Sequence, residues 1–222
     1  MTPEYTNWEQ IVAKSSDLQK SWNALLHPFN PTPTTANNWY AKLTTAYQSE
    51  ARHYHNLQHI QHMLTWLEST WQETEETKTI ATYATWFHDA IYDSKASDNE
   101  DQSADLATQA ETDLQIPTHI ATQAADWIQR TKSHDPGESK ECAHFLDCDL
   151  AILGAPEHMY SEYAAAIRRE YAWVEEQAYR AGRAKVLRGF LERERIYITD
   201  TMSQQLEVQA RRNLQKELDS LD

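Results

Sequence analysis

The chain has 222 residues, a net charge of −14 and only 4 glycines; that length accommodates one large domain with a full core, and a field of that sign works against non-specific binding to nucleic acid or to an anionic membrane. No run approaches the ~18 apolar residues of a membrane span, and the opening MTPEYTNWEQ carries neither the basic nor the apolar region of a signal peptide. Cys142 and Cys148 show no CxxC spacing and no disulfide framework, so the expectation is a reducing, cytoplasmic location.

The glycines are Gly137, Gly154, Gly182 and Gly189, and Ala, Gln, Glu and Leu dominate elsewhere. Hairpin turns rely on residues that tolerate positive φ, whereas those four residue types are good helix formers. The composition therefore predicts an all-α fold. The 3.6-residue apolar period predicts a first helix over Trp8 to Leu26, broken by HPFNPTPTT, and a second capped by Thr35 or a neighbour. A third runs from Asn56 to Trp71 and a fourth from Glu75 to Tyr92. After the polar loop DSKASDNED, helices are expected from Glu100 to Leu114 and from Pro117 to Thr131. SHDPGES is a turn, followed by a short helix from Ala143 to Leu153. Two long helices, Glu157 to Tyr179 and Gly182 to Arg195, precede a last one from Thr199 to Leu218. No internal repeat or linker divides the chain, so a single domain over 1–222 is expected. Its catalytic core spans about 50–155 and its C-terminal helical extension about 156–222.

Between Arg168 and Arg195 eight basic residues face five acidic ones. A local excess of that size on an acidic chain suits a small anion, although it serves equally as a solvated face of i,i+4 ion pairs.

Three segments carry chemistry. RHYHNLQHIQH holds His53, His55, His59 and His62. His55 and His59 share a helical face, but Asn56 follows His55 where a zinc protease needs a glutamate. WFHDAIYD sets His88 and Asp89 at the edge of an apolar stripe, and HFLDCDLAILG sets Asp147 and Asp149 inside an apolar segment. A buried carboxylate is costly unless it is paired or bound to a metal. His, then His-Asp, then Asp on separate helices is a nitrogen and carboxylate set that suits Mn²⁺, Fe²⁺ or Zn²⁺ and, less well, Mg²⁺. Such a metal, as one ion or two, lowers the pKa of a bound water and clamps a phosphate oxygen.

The ordered H…HD…D pattern resembles the HD superfamily of metal-dependent phosphohydrolases. YHNLQH at Tyr54 to His59 is similar to the Y-H-N-x-x-H element of cyclic-nucleotide phosphodiesterases, and DCDLAILG is similar to the D-A-D-x-L-x-x-[IL]-G element of small bacterial HD hydrolases. NEDQSA and the stretch through IRREY and FLERERIY extend the likeness to the group described as predicted metal-dependent HD phosphohydrolases, over nearly the whole chain. The resemblance implies an HD-type helical bundle with added C-terminal helices and metal ligands His59, His88, Asp89 and Asp149. Asp149 is preferred over Asp147. His55 is then the proton donor to the leaving oxygen and Glu100 a residue that orients water, unless it serves the dipole of its own helix. It also implies attack on phosphorus by hydroxide generated at the metal. Arg52, His134, Arg168, Arg183 and Arg188 are the candidate phosphate contacts, and Lys132 is another. The implied partner is a small anionic phosphorylated substrate with a nucleotide as the expected carrier, and apolar faces on so many helices allow a homo-oligomer.

No counterpart of the purine-clamping Gln and Phe of the cyclic-nucleotide enzymes is found. Trp86, Trp127 and Trp173 are read as core residues rather than base-stacking platforms. Two other classes fit parts of the pattern. One is a di-iron oxygenase on the same fold, drawing extra ligands from His119, His134 and His144. The other is a regulatory nucleotide-binding module that has lost turnover.

Overall fold

In a computed structural model, the described residues are Trp8 and 17–221. The expected start of the first helix, apart from Trp8, lies outside them. Among the described residues from 17 to 221 there are ten α-helices and one 3₁₀ turn, and no strand. They are α1 (Leu18–Leu26), α2 (Pro33–Tyr47), α3 (Leu57–Thr70), α4 (Glu75–Phe87), α5 (Asn99–Leu114), α6 (Thr118–Arg130), α7 (Lys140–Asp149), the 3₁₀ turn (Leu150–Gly154), α8 (Glu157–Glu170), α9 (Glu176–Leu191) and α10 (Asp200–Leu221). The all-α expectation holds. No described helix is long and apolar enough to cross a membrane.

Short polar side chains set the helix starts by accepting the first free backbone N–H groups. The cap expected at Thr35 or a neighbour falls on Thr32, with Pro33 in the first helical position where no N–H is needed. Asn56, Thr74 and Ser139 cap α3, α4 and α7 in the same way.

Several expected helices stop early, two of them for an identifiable reason. The fourth ends at Phe87 instead of Tyr92. Arg52 draws the carbonyls of Asp89 and Ala90 out of a helical ladder, and the Ile91 N–H goes to the Ser103 hydroxyl. The helix expected to reach Tyr179 ends at Glu170. There Arg168 donates to the carbonyls of Tyr171 and Val174, and Glu175 caps a new helix by accepting from Gln177 and Ala178. Gly182 consequently lies inside α9 rather than at its start.

The core is aromatic. Trp86 is fully buried and meets Trp22 and Tyr40 edge-on at 5.2 and 5.8 Å, an arrangement in which ring edges and faces attract. Trp127 stacks on Phe145 and is buried as expected. Trp173 departs from that expectation: it is 52% exposed, with its indole N–H donated to Ser94.

The C-terminal helices close over the 3₁₀ turn. Asn213 of α10 donates to the carbonyls of Leu153 and Ala155, both at 2.8 Å. At Gly154 the approach is so close that a Cβ would stand 2.6 Å from Leu206 Cβ and 2.9 Å from its carbonyl oxygen. Asp147 is buried, but as a cap: its carboxylate accepts from the N–H groups of Ile198 and Thr199 and from the Thr199 hydroxyl. That arrangement anchors the entry to α10 and fits the preference for Asp149 at the site.

Candidate metal centre and catalytic cleft

His59 sits in the first turn of α3, held in register by the Asn56 cap. His88 and Asp89 follow the last residue of α4, and Asp149 is the last residue of α7. Three helix ends thus point four side chains at one place. His59, His88 and Asp89 offer donor atoms that all lie within 4.8 Å of one another. The His59 and His88 Nε2 atoms are 3.1 Å apart, and Asp89 Oδ2 is 3.1 Å from His88 Nε2 and 3.9 Å from His59 Nε2. Asp149 Oδ1 joins them at 3.0 Å from His59 and 3.7 Å from His88.

These spacings fit a divalent cation. Bonds of about 2.1 Å put neighbouring octahedral ligands about 3 Å apart and opposite ones about 4 Å apart. Protonation points the same way. His88 Nδ1 donates to the Thr85 carbonyl at 3.0 Å, so a neutral His88 turns a lone pair toward His59 and two carboxylates. Both rings are buried, at 3% and 2% exposure, and lone pairs facing one another there are unfavourable without a positive charge between them. The electrostatics of the bare cluster reflect this. Burial opposes a charged His88, yet Asp89 and Asp149 outweigh it and push its pKa up to about 9. Burial likewise opposes ionised Asp149, but hydrogen bonds with His134 and His59 hold its carboxyl well below the usual range. His59, His88 and Asp89 can hold a metal ion.

The supporting residues sort by what they touch. His134 brings Nε2 to 3.0 Å from Asp149 Oδ2, fixing one carboxylate oxygen and leaving the other for the cluster. It does so from a left-handed backbone conformation, φ 51°, uncommon for a side-chain-bearing residue but less so for His. The surrounding loop is pinned by Arg130 on the Asp135 carbonyl, Lys132 on that of Ser97 and Arg193 on that of Ser133. His119 lies near Glu76, and His144 bonds Thr70. Of the three histidines an oxygenase would draw on, His134 alone reaches the cluster.

The expected phosphate contacts are placed differently. Arg52 is buried and donates to the carbonyls of His55, Asp89 and Ala90. One guanidinium therefore ties the segment before α3 to the His-Asp turn and is committed to positioning. Arg183 is paired through two nitrogens with Glu217, at 2.7 and 2.9 Å. Arg168 is held by Glu176 and two carbonyls. Arg168 and Arg188, which is in α9, line neither side of the cleft. Glu100 does line it, beside Lys132, whose ammonium is 3.7 Å away.

The structure adds a residue that sequence reasoning missed. Glu170, 5% exposed, accepts from the backbone N–H groups of His53, Tyr54 and His55 through one oxygen. The other oxygen takes His55 Nδ1 at 2.6 Å and the Tyr92 hydroxyl at 2.8 Å. Burial disfavours the carboxylate, but these partners, His55 first, bring Glu170 down to about 2. Burial also disfavours a charged His55, yet Asp89 and Glu170 hold its pKa above the ordinary value. With Nδ1 committed to Glu170, Nε2 is the ring atom that can serve the cleft. The sequence signal was the acid in IRREY, hidden within a charge-rich stretch.

The comparisons with family models, with curated proteins and with solved structures find no match to this chain.

Proposed function

We propose that this chain is an HD-type, divalent-metal-dependent phosphohydrolase acting on a small phosphorylated substrate. One observation carries the reading: two imidazole nitrogens and two carboxylate oxygens converge at 3.0–3.9 Å beside a histidine backed by a buried glutamate. His59, His88, Asp89 and Asp149 would hold the ion, with Mn²⁺, Fe²⁺ or Zn²⁺ favoured over Mg²⁺ by the mixed donors. When bound, the ion supplies Lewis acidity, lowering the pKa of a water and drawing charge from a phosphate oxygen.

The rest falls to the chain's own side chains. Arg52 holds the backbone of the His-Asp turn, so Asp89 cannot swing away. His134 orients Asp149. Lys132, in the same cleft, meets the phosphate, where its ammonium offsets the charge that grows during transfer. His55 gives its proton to the leaving oxygen, as a positioned general acid should, and Glu170 keeps that ring charged and aimed. Glu100 faces the same cleft, where its carboxylate can accept a hydrogen bond from the attacking water.

The test is phosphate release from a panel of nucleotides and of aryl and alkyl phosphates with added Mn²⁺, comparing the wild type with Asp89→Ala. Metal-dependent release that disappears in the variant is expected. Stoichiometric iron with oxygen consumption and no hydrolysis would replace this reading with an oxygenase. No bound metal and no turnover would leave a helical binding module.

A further inference from the structure

His88, Asp89 and Asp149 line one pocket, and Asp149, with His55 and His134, lines a second as well. The first pocket, about 350 Å³, is polar, with Ser97, Asn99, Glu100, Thr131 and Lys132 in its wall. The second, about 160 Å³, is walled mainly by apolar side chains of the 3₁₀ turn, α9 and α10, with Tyr54, Tyr163 and Arg183 also in its lining. Of the apolar ones, Leu150, Ile152 and Leu153 come from the 3₁₀ turn after Asp149, Val186, Leu187 and Phe190 from α9, and Leu214 from α10. The C-terminal helices therefore supply more than half of the apolar lining of an arm that opens onto Asp149 and His55.

We infer, resting on the phosphohydrolase reading above, that the substrate is a phosphate ester of a compact apolar alcohol, an aryl or short branched alkyl group. Its phosphate lies in the polar arm and its body in the apolar one. Three features fix this. His55 stands at the junction, so an ester oxygen bridging the two arms lies at the proton donor. The apolar arm matches in size a cavity of about 150 Å³, which accommodates a benzene ring. Arg183, in its lining, is already paired with Glu217, so that guanidinium is committed away from a ligand's polar groups. In the reaction the water oxygen bonds to phosphorus as the bond from phosphorus to the ester oxygen breaks. The electron pair stays on that oxygen, which takes the His55 proton, while Glu100 in the polar arm takes the proton that the water gives up. The alcohol leaves on the apolar side and inorganic phosphate on the polar side.

Val186 allows a test without disturbing the core, because it is 49% exposed at the mouth of the arm. Binding of phenylphosphonate and methylphosphonate is measured by calorimetry in the presence of Mn²⁺, for the wild type, Val186→Trp and Asp89→Ala. Phenylphosphonate binding at least tenfold tighter than methylphosphonate, with that ratio falling at least fivefold in Val186→Trp, is the expected result. A wild-type ratio near one, or a ratio unmoved by Val186→Trp, overturns the inference; if methylphosphonate binding is also lost in Asp89→Ala, the phosphohydrolase reading survives. A high, Val186-sensitive ratio with no hydrolysis of phenyl phosphate upholds the apolar arm as a ligand subsite and overturns the hydrolase. If neither phosphonate binds, both fall.

Discussion

The Glu170 carboxylate and the His55 ring stand 2.6 Å apart although 115 positions separate them in the chain. The contact commits Nδ1 as a donor, sets the ring's tautomer and favours its charged form. Glu170→Gln keeps an oxygen for the backbone N–H groups but removes the charge. Turnover is expected to fall about 10–100-fold, as for other residues that orient a working side chain. The pH profile gives the distinguishing readout. A proton donor with a raised pKa stays active until pH rises through that pKa, so the falling limb moves to lower pH in Glu170→Gln. A structural role alone would lower the rate without moving the limb.

Arg52 donates to three carbonyls, two of them in the His-Asp turn. Arg52→Ala leaves these acceptors without their partner in a buried setting, at about 1–3 kcal/mol each before water enters. The expected outcome is a lower melting temperature and Mn²⁺ affinity reduced about 10–100-fold. Calorimetry of thermal unfolding and of metal titration checks both.

Gly154 lies under Leu206 of the last helix. Gly154→Ala drives a methyl group into backbone as well as side chain, which cannot relax as a flexible side-chain end would. A loss of about 1–3 kcal/mol is expected, read from urea unfolding. Gly182→Ala meets nothing within 4 Å and should stabilise α9 by about 0.5–1 kcal/mol.

His144 provides a pH test of packing away from the cleft. The Thr70 hydroxyl donates to the Trp66 carbonyl, so it accepts from His144 Nε2 at 2.8 Å. Burial lowers the His144 pKa to about 4 from an ordinary 6.5. Below pH 6.5 the unfolded chain binds a proton that the folded one refuses until about pH 4. Stability is therefore lost as pH falls through that window, by on the order of 2 kcal/mol. His144→Gln should flatten this part of the curve relative to wild type in urea unfolding at pH 7, 6, 5 and 4.5.

Helices, caps and the aromatic core were legible because each follows from local spacing: Asn56, Thr74 and Ser139 precede apolar periods and cap them. The four residues proposed as ligands were legible because His and Asp within apolar stretches call for an explanation. What stayed hidden is non-local. Arg52 reads in sequence as one more basic residue, and only the fold shows the three carbonyls it serves. Arg183 reads as a phosphate clamp until Glu217 is seen against it, 34 positions on. The end of α4 at Phe87 depends on that same Arg52 and on Ser103, which no periodicity in the helix itself encodes.

The central claim is that four side chains hold one catalytic metal site, and titration of Mn²⁺ into metal-free protein tests it most directly. Wild type should bind Mn²⁺ tightly at this cluster. Asp89→Ala and Asp149→Ala should each lose that site while keeping their helical content, and Asp147→Asn should retain it, because Asp147 serves the start of α10 instead. Unchanged Mn²⁺ binding in Asp89→Ala and Asp149→Ala would contradict the claim.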